Sequence, residues 1–261
     1  MNKSEGSFQF DLGNYECLVI SDGMFTIPDG SMVDVMCLLI KTGEHTVLLD
    51  TGCGIGLDPK AGKLTQNLHV AGISNREIDA VVLSHAHSDH VGGNTNAASE
   101  PSFPNARYYI SKREMEFWTS TPDLTCYPEN IRQTMTDTID KKLISIENRI
   151  VRVSAEEEIV PGVFFIDAPG HSPGNMALLI SSANENLICT GDVFMSAEEV
   201  EQIDRFTAPL MTNEGVETRL KILEKIVKKN ALVFACHFPF PGLGHVSRKG
   251  KIYTWEPINM N

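Results

Sequence analysis

Three imidazoles and one carboxylate fall within six residues in the segment Ser84-His85-Ala86-His87-Ser88-Asp89-His90. The segment follows directly on the apolar run Ala80-Val81-Val82-Leu83, which reads as a buried strand. Imidazole nitrogen and carboxylate oxygen are the usual ligands of Zn²⁺ and its first-row neighbours. His85 and His87, separated by one residue, can aim both rings at one ion. Asp89 and His90 come a step later and can face a second ion beside the first. Without a metal, such a set, if buried, would leave several polar groups to satisfy. A polar loop that happens to be His-rich is the competing reading.

Three further polar residues sit just past predicted strands. His171 lies in Ala-Pro-Gly-His-Ser-Pro-Gly, Asp192 in Thr-Gly-Asp, and His237 after the run Ala231-Leu232-Val233-Phe234-Ala235-Cys236. Each alone would be an ordinary histidine or turn residue. Together, with Gly and Pro beside them forcing turns, they can converge on one edge of a sheet. The donors then divide evenly. His85, His87 and His171 serve one ion; Asp89, His90 and His237 serve the other; Asp192 stands between them. Room remains for a bridging water, as an open catalytic site requires. None of the cysteines has ligand-like spacing. His45 reads as a hairpin-turn residue and His69 as a helix-surface residue.

The elements that must position these groups are legible in outline. Strands are predicted at 15–20, 33–41, 46–50, 78–83, 107–110, 150–153, 163–168, 176–182, 187–190 and 231–236. Residues 41–45 form a hairpin turn. Leu64, Leu68 and Ala71 recur at near-helical spacing, with Gly72 as C-cap. Ser111 caps a helix starting at Lys112, and residues 129–148 read as a second helix. Val216, Leu220, Leu223 and Val227 form one helix face, with Asn213 as its cap. Strands in both halves, interleaved with helices, imply two layers of sheet covered by helices. No linker divides the chain, so residues 1–261 are read as one domain.

The chain carries a net charge of −12, with 42% hydrophobic and 21% charged residues. This acidic balance argues against nucleic acid and anionic membrane as partners, since both need clustered Lys and Arg. No apolar run approaches the ~20 residues of a membrane span. The first residues show no apolar signal core. Of the six cysteines, Cys17, Cys37, Cys189 and Cys236 lie in apolar runs and read as buried thiols, which fits a reducing, cytoplasmic setting.

The string His85-x-His87-x-Asp89-His90, with His171, Asp192 and His237 downstream, resembles the metallo-β-lactamase fold hydrolase superfamily. The resemblance runs from about Tyr15 to about His245. It implies an α/β (α+β) fold: a four-layer αββα sandwich of two mixed sheets flanked by helices, with a dinuclear metal site at one edge. It also implies that Asp50, in Leu-Leu-Asp-Thr-Gly, supports the ligands from behind. Three stretches resemble the methyl parathion hydrolase-like branch with its lactonase relatives. They are Leu12-Gly13-Asn14-Tyr15 through Ser21-Asp22-Gly23, Glu114-Met115-Glu116-Phe117-Trp118, and His237-Phe238-Pro239-Phe240-Pro241-Gly242-Leu243-Gly244-His245. Many acyl-homoserine lactonases place a Tyr three residues after the bridging Asp; here that residue is Met195. Class B β-lactamases mostly lack the bridging Asp, so Asp192 counts against antibiotic hydrolysis.

The chemistry expected is hydrolysis. Two divalent metal ions, Zn by preference and Mn, Fe or Co by ligand type, would lower the pKa of a shared water. The resulting bridging hydroxide would attack a small hydrophobic ester-like molecule: a lactone, carboxylic ester or phosphotriester. Asp89 and Asp192 carry the catalytic assignment, Asp89 also as a proton relay. Phe117, Trp118, Phe194, Met195, Phe238, Phe240 and Leu243 form the expected pocket wall. His245 is expected behind the ligands or against substrate. The competing functions are a glyoxalase II-type thioester hydrolase and a non-hydrolytic di-iron redox protein. The partner is a small molecule; a homodimer is left open, as is the role of residues 119–149 as lid or dimer contact.

Overall fold

Residues 36–40 are all buried, and alternate side chains enter different cores. Met36, Leu38 and Ile40 join one apolar cluster; Cys37 and Leu39 join another. A strand buried on both faces needs a layer on each side. The computed structural model, which describes residues 2–4, 6–26, 30–205 and 213–259, supplies those layers.

The first sheet holds eight strands in chain order. These are β1 (Asn2–Ser4), β2 (Ser7–Leu12), β3 (Tyr15–Thr26), β4 (Met32–Lys41), β5 (Thr46–Leu49), β6 (Ala80–Val82), β7 (Arg107–Ser111) and β8 (Ile150–Val153). β1 to β5 pair antiparallel, and β5 to β8 pair parallel. The second sheet comprises β9 (Glu158–Val160), β10 (Val163–Asp167), β11 (Met176–Ser182), β12 (Glu185–Cys189), β13 (Leu232–Phe234), β14 (Leu243–Lys249) and β15 (Ile252–Pro257). Its strands lie in order β15-β14-β13-β12-β11-β10-β9, antiparallel except for β12 with β13. Both sheets are therefore mixed, as the resemblance implied.

The helices are α1 (Leu64–Val70), α2 (Ser88–Val91), α3 (Lys112–Thr119), α4 (Glu129–Thr138), α5 (Ala197–Glu201) and α6 (Asn213–Lys229). Phe8, Phe10, Val19, Leu38 and Val47 of one sheet meet Phe165, Leu178, Ile180 and Phe234 of the other in a central core. Leu64 and Leu68 of α1 and Met115 and Trp118 of α3 cover the outer face of the first sheet, beside Leu39, Leu48 and Val81. Ile222, Leu223 and Ile226 of α6 cover the second, over Ala177, Ile188 and Val233. The result is an αββα sandwich. The strand runs were readable because both faces are apolar. Ser111 caps α3 as expected, accepting from the backbone N–H of Arg113 and Glu114. Cys17, Cys37, Cys189 and Cys236 are buried, as expected from their apolar runs.

Three local readings change. β1, β2, β9 and the β14–β15 hairpin were not anticipated. Residues 129–148 are not one helix: α4 ends at Thr138, one wide π turn covers 139–143, and a 3₁₀ stretch follows, with Ile146 at φ −114°, ψ 17°. The competing bonds come from outside the helix. Asn94 donates to the Lys142 carbonyl (3.0 Å) and Thr95 to that of Lys141 (3.4 Å), so these carbonyls are drawn off the helical ladder. The segment packs Ile139, Leu143 and Ile146 onto the first sheet.

The third change is the buried face of α6. It comprises Gly215, Thr218, Arg219, Ile222, Leu223 and Ile226, whereas Leu220 and Val227 stand partly exposed. The displaced residue is Arg219, 1% exposed. Its guanidinium donates to Glu199 Oε2 (2.6 Å), to Val193 O (2.9 Å) and to Ile203 O (3.2 Å), and also bonds Arg205 O. A charge inside the apolar stripe hid the true face from a count of apolar residues. Asn213 is the first helical residue, and the residue before it lies outside the described residues. Arg219→Ala removes the opposite charge beside the buried Glu199 carboxylate, so it should cost about 3–5 kcal/mol in urea unfolding. Leu220→Ala on the exposed side should change stability by no more than about 0.5 kcal/mol.

Candidate metal centre

Five strands end on one edge of the sandwich, and each is followed by a group that could bind or support a cation. β5 leads to Asp50, β6 to the His85–His90 segment, β10 to His171, β12 to Asp192 and β13 to His237. β5 and β6 run parallel, as do β12 and β13, so their C-terminal ends point the same way. The two sheet edges are stitched together by the Met176 N–H on Ser84 O (2.9 Å) and the Met36 N–H on Cys236 O (3.2 Å). Backbone freedom completes the convergence. Gly170, just before His171, has φ +142°, and a Cβ there would lie 2.5 Å from Gly215 Cα.

Asp192 occupies the centre. Its Oδ2 lies 3.3 Å from His171 Nε2 and 3.9 Å from His85 Nε2. Its Oδ1 lies 3.3 Å from His90 Nε2 and 3.2 Å from His237 Nε2. His87 joins the first group, with Nδ1 2.9 Å from His171 Nε2. Asp89 joins the second, with Oδ2 3.5 Å from both His90 Nε2 and His237 Nε2. The seven predicted residues are thus brought together, the other six around the Asp192 carboxylate.

The donor set fits a pair of divalent cations. His85 Nε2 is buried, has no hydrogen-bond partner among the described residues, and faces Asp192. Buried ring nitrogens are normally paired, so an orphan aimed into a cluster of nitrogen and oxygen donors marks space for a cation. The Cys236 sulfur also reaches this cluster, 3.4 Å from Asp192 Oδ1; its position gave no motif by spacing.

The His90 and His237 rings are held from behind. Asp50 Oδ2 lies 2.9 Å from His90 Nδ1, and the same carboxylate accepts from Ser84 N (2.7 Å) and Ser84 Oγ (2.8 Å). Asp50 sits in the left-handed region at φ 59°, a conformation that costs energy outside glycine and is tolerated where several bonds hold it. His237 Nδ1 bonds the backbone carbonyl of Asp34 (2.8 Å), a partner no side-chain motif could disclose. The His90 carbonyl accepts from Thr51 N (2.8 Å) and Thr51 Oγ1 (2.9 Å). Glu114, fully buried on α3, accepts from Ala86 N, Trp118 Nε1, Ser172 Oγ and Gly174 N. A carboxylate four residues before a Trp on an apolar helix face was the available signal.

The two groups differ electrostatically. Burial pushes the His87 and His171 imidazoles down to about 4, and His85 well below its usual value. Burial also opposes charge on His90, but Asp192, Asp89 and Asp50 outweigh it and raise that pKa well above the usual range. His237 is raised in the same way by Cys236 and Asp192. Asp192 is held well below the usual carboxylate range: its burial acts the other way, and the surrounding imidazoles prevail. Burial thus disfavours charge on the three-His group, whereas the neighbouring Asp89, Asp192 and Cys236 side chains favour it on His90 and His237.

Other predicted site residues are placed less uniformly. Trp118 meets the His87 ring edge-on at 5.9 Å and Phe117 at 5.1 Å. Met195 and Phe240 are half-buried. Phe194, Phe238 and Leu243 fill core instead of walling a pocket, each 1–2% exposed. Phe194 lies under the Arg219 guanidinium (5.5 Å), and Phe238 turns back onto Trp255 (4.8 Å). His245 is exposed on β14, opposite Glu256, with no hydrogen bond to the cluster. Strand alternation turns it outward, so it does not support the ligands. His69 is exposed on α1 and His45 lies in the turn, as expected.

Residues 31–237 match the Metallo-beta-lactamase superfamily. An N-acyl homoserine lactonase of Bacillus sp is 24% identical over 234 residues, covering 81% of this chain and 85% of its own. Among solved structures, AidC, a dizinc quorum-quenching lactonase in complex with a product, is 29% identical, covers 98% of both chains and superposes with a TM-score of 0.89. The hydrolase AbOPH, of the beta lactamase superfamily, is 24% identical over 100% of both chains with a TM-score of 0.87. The sandwich, the five converging strand ends and these likenesses agree: the chain is a hydrolase of the metallo-beta-lactamase superfamily.

Proposed function

We propose that this chain is a two-metal lactonase acting on a small lactone with an apolar substituent. The observation that carries the reading is the division of Asp192, one oxygen toward His85 and His171 and the other toward His90 and His237. His85, His87 and His171 would hold one ion, Asp89, His90 and His237 the other, and Asp192 both. When bound, such a pair supplies hydroxide at neutral pH and polarises the attacked oxygen. Asp89, whose side chain is 12% exposed, is the ligand best placed to pass a proton to the departing alkoxide, releasing a hydroxy acid. Trp118, whose ring meets that of His87 edge-on, is the apolar group that supports the apolar substituent. The lactonase relatives favour a lactone over other esters.

A pH-stat assay of acid release from an N-acyl homoserine lactone tests this reading. Turnover should vanish on chelation and return with Zn²⁺. Asp192→Asn should lower kcat/KM by about 100-fold or more, a loss of roughly 3 kcal/mol of transition-state stabilisation. A fully metallated protein that leaves lactones intact and hydrolyses an aryl phosphotriester would overturn the substrate assignment.

Asp50→Asn should weaken metal binding about 10–100-fold, because the carboxylate behind His90 fixes its ring and tautomer. Competition with a chromophoric chelator measures this. Metal uptake should also be proton-coupled on one side only. His90 and His237, held protonated by carboxylates, must release protons to bind a cation, so affinity there rises with pH from about 5 to 8. The three-His group, with His87 and His171 at about 4 and His85 pushed down by burial, should bind independently of pH over that span. Calorimetry in buffers of different ionisation enthalpy would count the protons.

A further inference from the structure

Glu114 is 0% exposed, and among the described residues no Lys or Arg pairs with it. Four uncharged donors compensate it. Ala86 N (3.0 Å) and Trp118 Nε1 (2.8 Å) bond Oε1; Ser172 Oγ (2.7 Å) and Gly174 N (2.9 Å) bond Oε2. Ala86 stands between His85 and His87, and Ser172 follows His171. One carboxylate therefore ties together the two loops that carry all three histidines of one group. Asp89 and His90 follow Ala86 by three and four residues in α2, and none of the four bonds is to that helix or to the loop of His237. The fit is close: a Cβ on Gly174 would lie 2.1 Å from Glu114 N. A buried carboxylate is a costly way to achieve stability, since an apolar side chain of similar size often does as well. The bonding pattern accounts for it through the site.

We infer that Glu114 is a positioning residue that sets the affinity of the three-His metal position and leaves the Asp89/His90/His237 position alone. This rests on the metal-pair reading of Asp192. Glutamine at residue 114 would present an amide N–H₂ to donors on one side, breaking the tie to one loop while keeping the volume.

The test is titration of metal-free protein with ¹¹³Cd²⁺, followed by ¹¹³Cd NMR and chelator competition. His171→Ala serves as the reference that identifies the three-His resonance. Wild type should show two resonances. Glu114→Gln should lose affinity at the three-His position by about 10–100-fold, with the other position within about twofold of wild type. Ser172→Ala removes one donor and leaves the carboxylate in place. It should show the same one-sided loss, about tenfold. If Glu114→Gln does not fold, Ser172→Ala decides by itself. Equal loss at both positions, or no loss, in the folded variants overturns the Glu114 inference while the metal pair stands. Fewer than two ions bound by wild type overturns both.

Discussion

The Asp192 carboxylate is 2% exposed, and an ionised group that far from water costs several kcal/mol unless opposite charge and hydrogen-bond donors surround it. Four imidazoles supply that surround, two on each oxygen. The two imidazoles on Oδ1, those of His90 and His237, are each fixed through their other nitrogen. The demand therefore passes outward: His90 leans on Asp50, Asp50 on Ser84, and His237 on the Asp34 carbonyl. The centre is specified by bonds two layers deep.

This requirement also orders the sheets. His85, His87, Asp89 and His90 come from the first sheet; His171, Asp192 and His237 come from the second. Sliding one sheet over the apolar layer between them would separate the two sets. Hydrogen bonds between Met176 and Ser84 and between Met36 and Cys236 lock the register at the edge where the site lies. The central apolar core holds the sheets together without direction, and these polar bonds give the contact its direction.

The outer layers do different work. Behind the first sheet, α3 brings Glu114 against the loops of three histidines, with Trp118 reaching the His87 ring. Behind the second, the Arg219–Glu199 pair bonds the Val193 carbonyl and the Met195 N–H, bracketing the turn that presents Asp192. Two buried carboxylates, compensated by unlike means, stiffen the two halves. The asymmetry continues to the centre, where burial disfavours charge on the three histidines of one group and neighbouring side chains favour it on His90 and His237 of the other.

The sequence by itself determined the strands buried on both faces, the layering and the seven converging residues. Strands buried on both faces leave unbroken apolar runs, and each polar group follows such a run at a Gly- or Pro-shaped turn. The likeness of the fold to known hydrolases was legible for the same reason. What only the tertiary structure decided depends on partners distant in the chain. The break after Thr138 comes from Asn94 and Thr95, the true face of α6 from Glu199 twenty residues before Arg219, and the clamp at Glu114 from Ser172 across the sandwich. Phe194, Phe238 and Leu243 read as pocket wall because they adjoin ligands in the chain; the strand ends turn them into core. Periodicity reports which residues avoid water, but not which buried polar group answers which, because that pairing is fixed only when the layers meet.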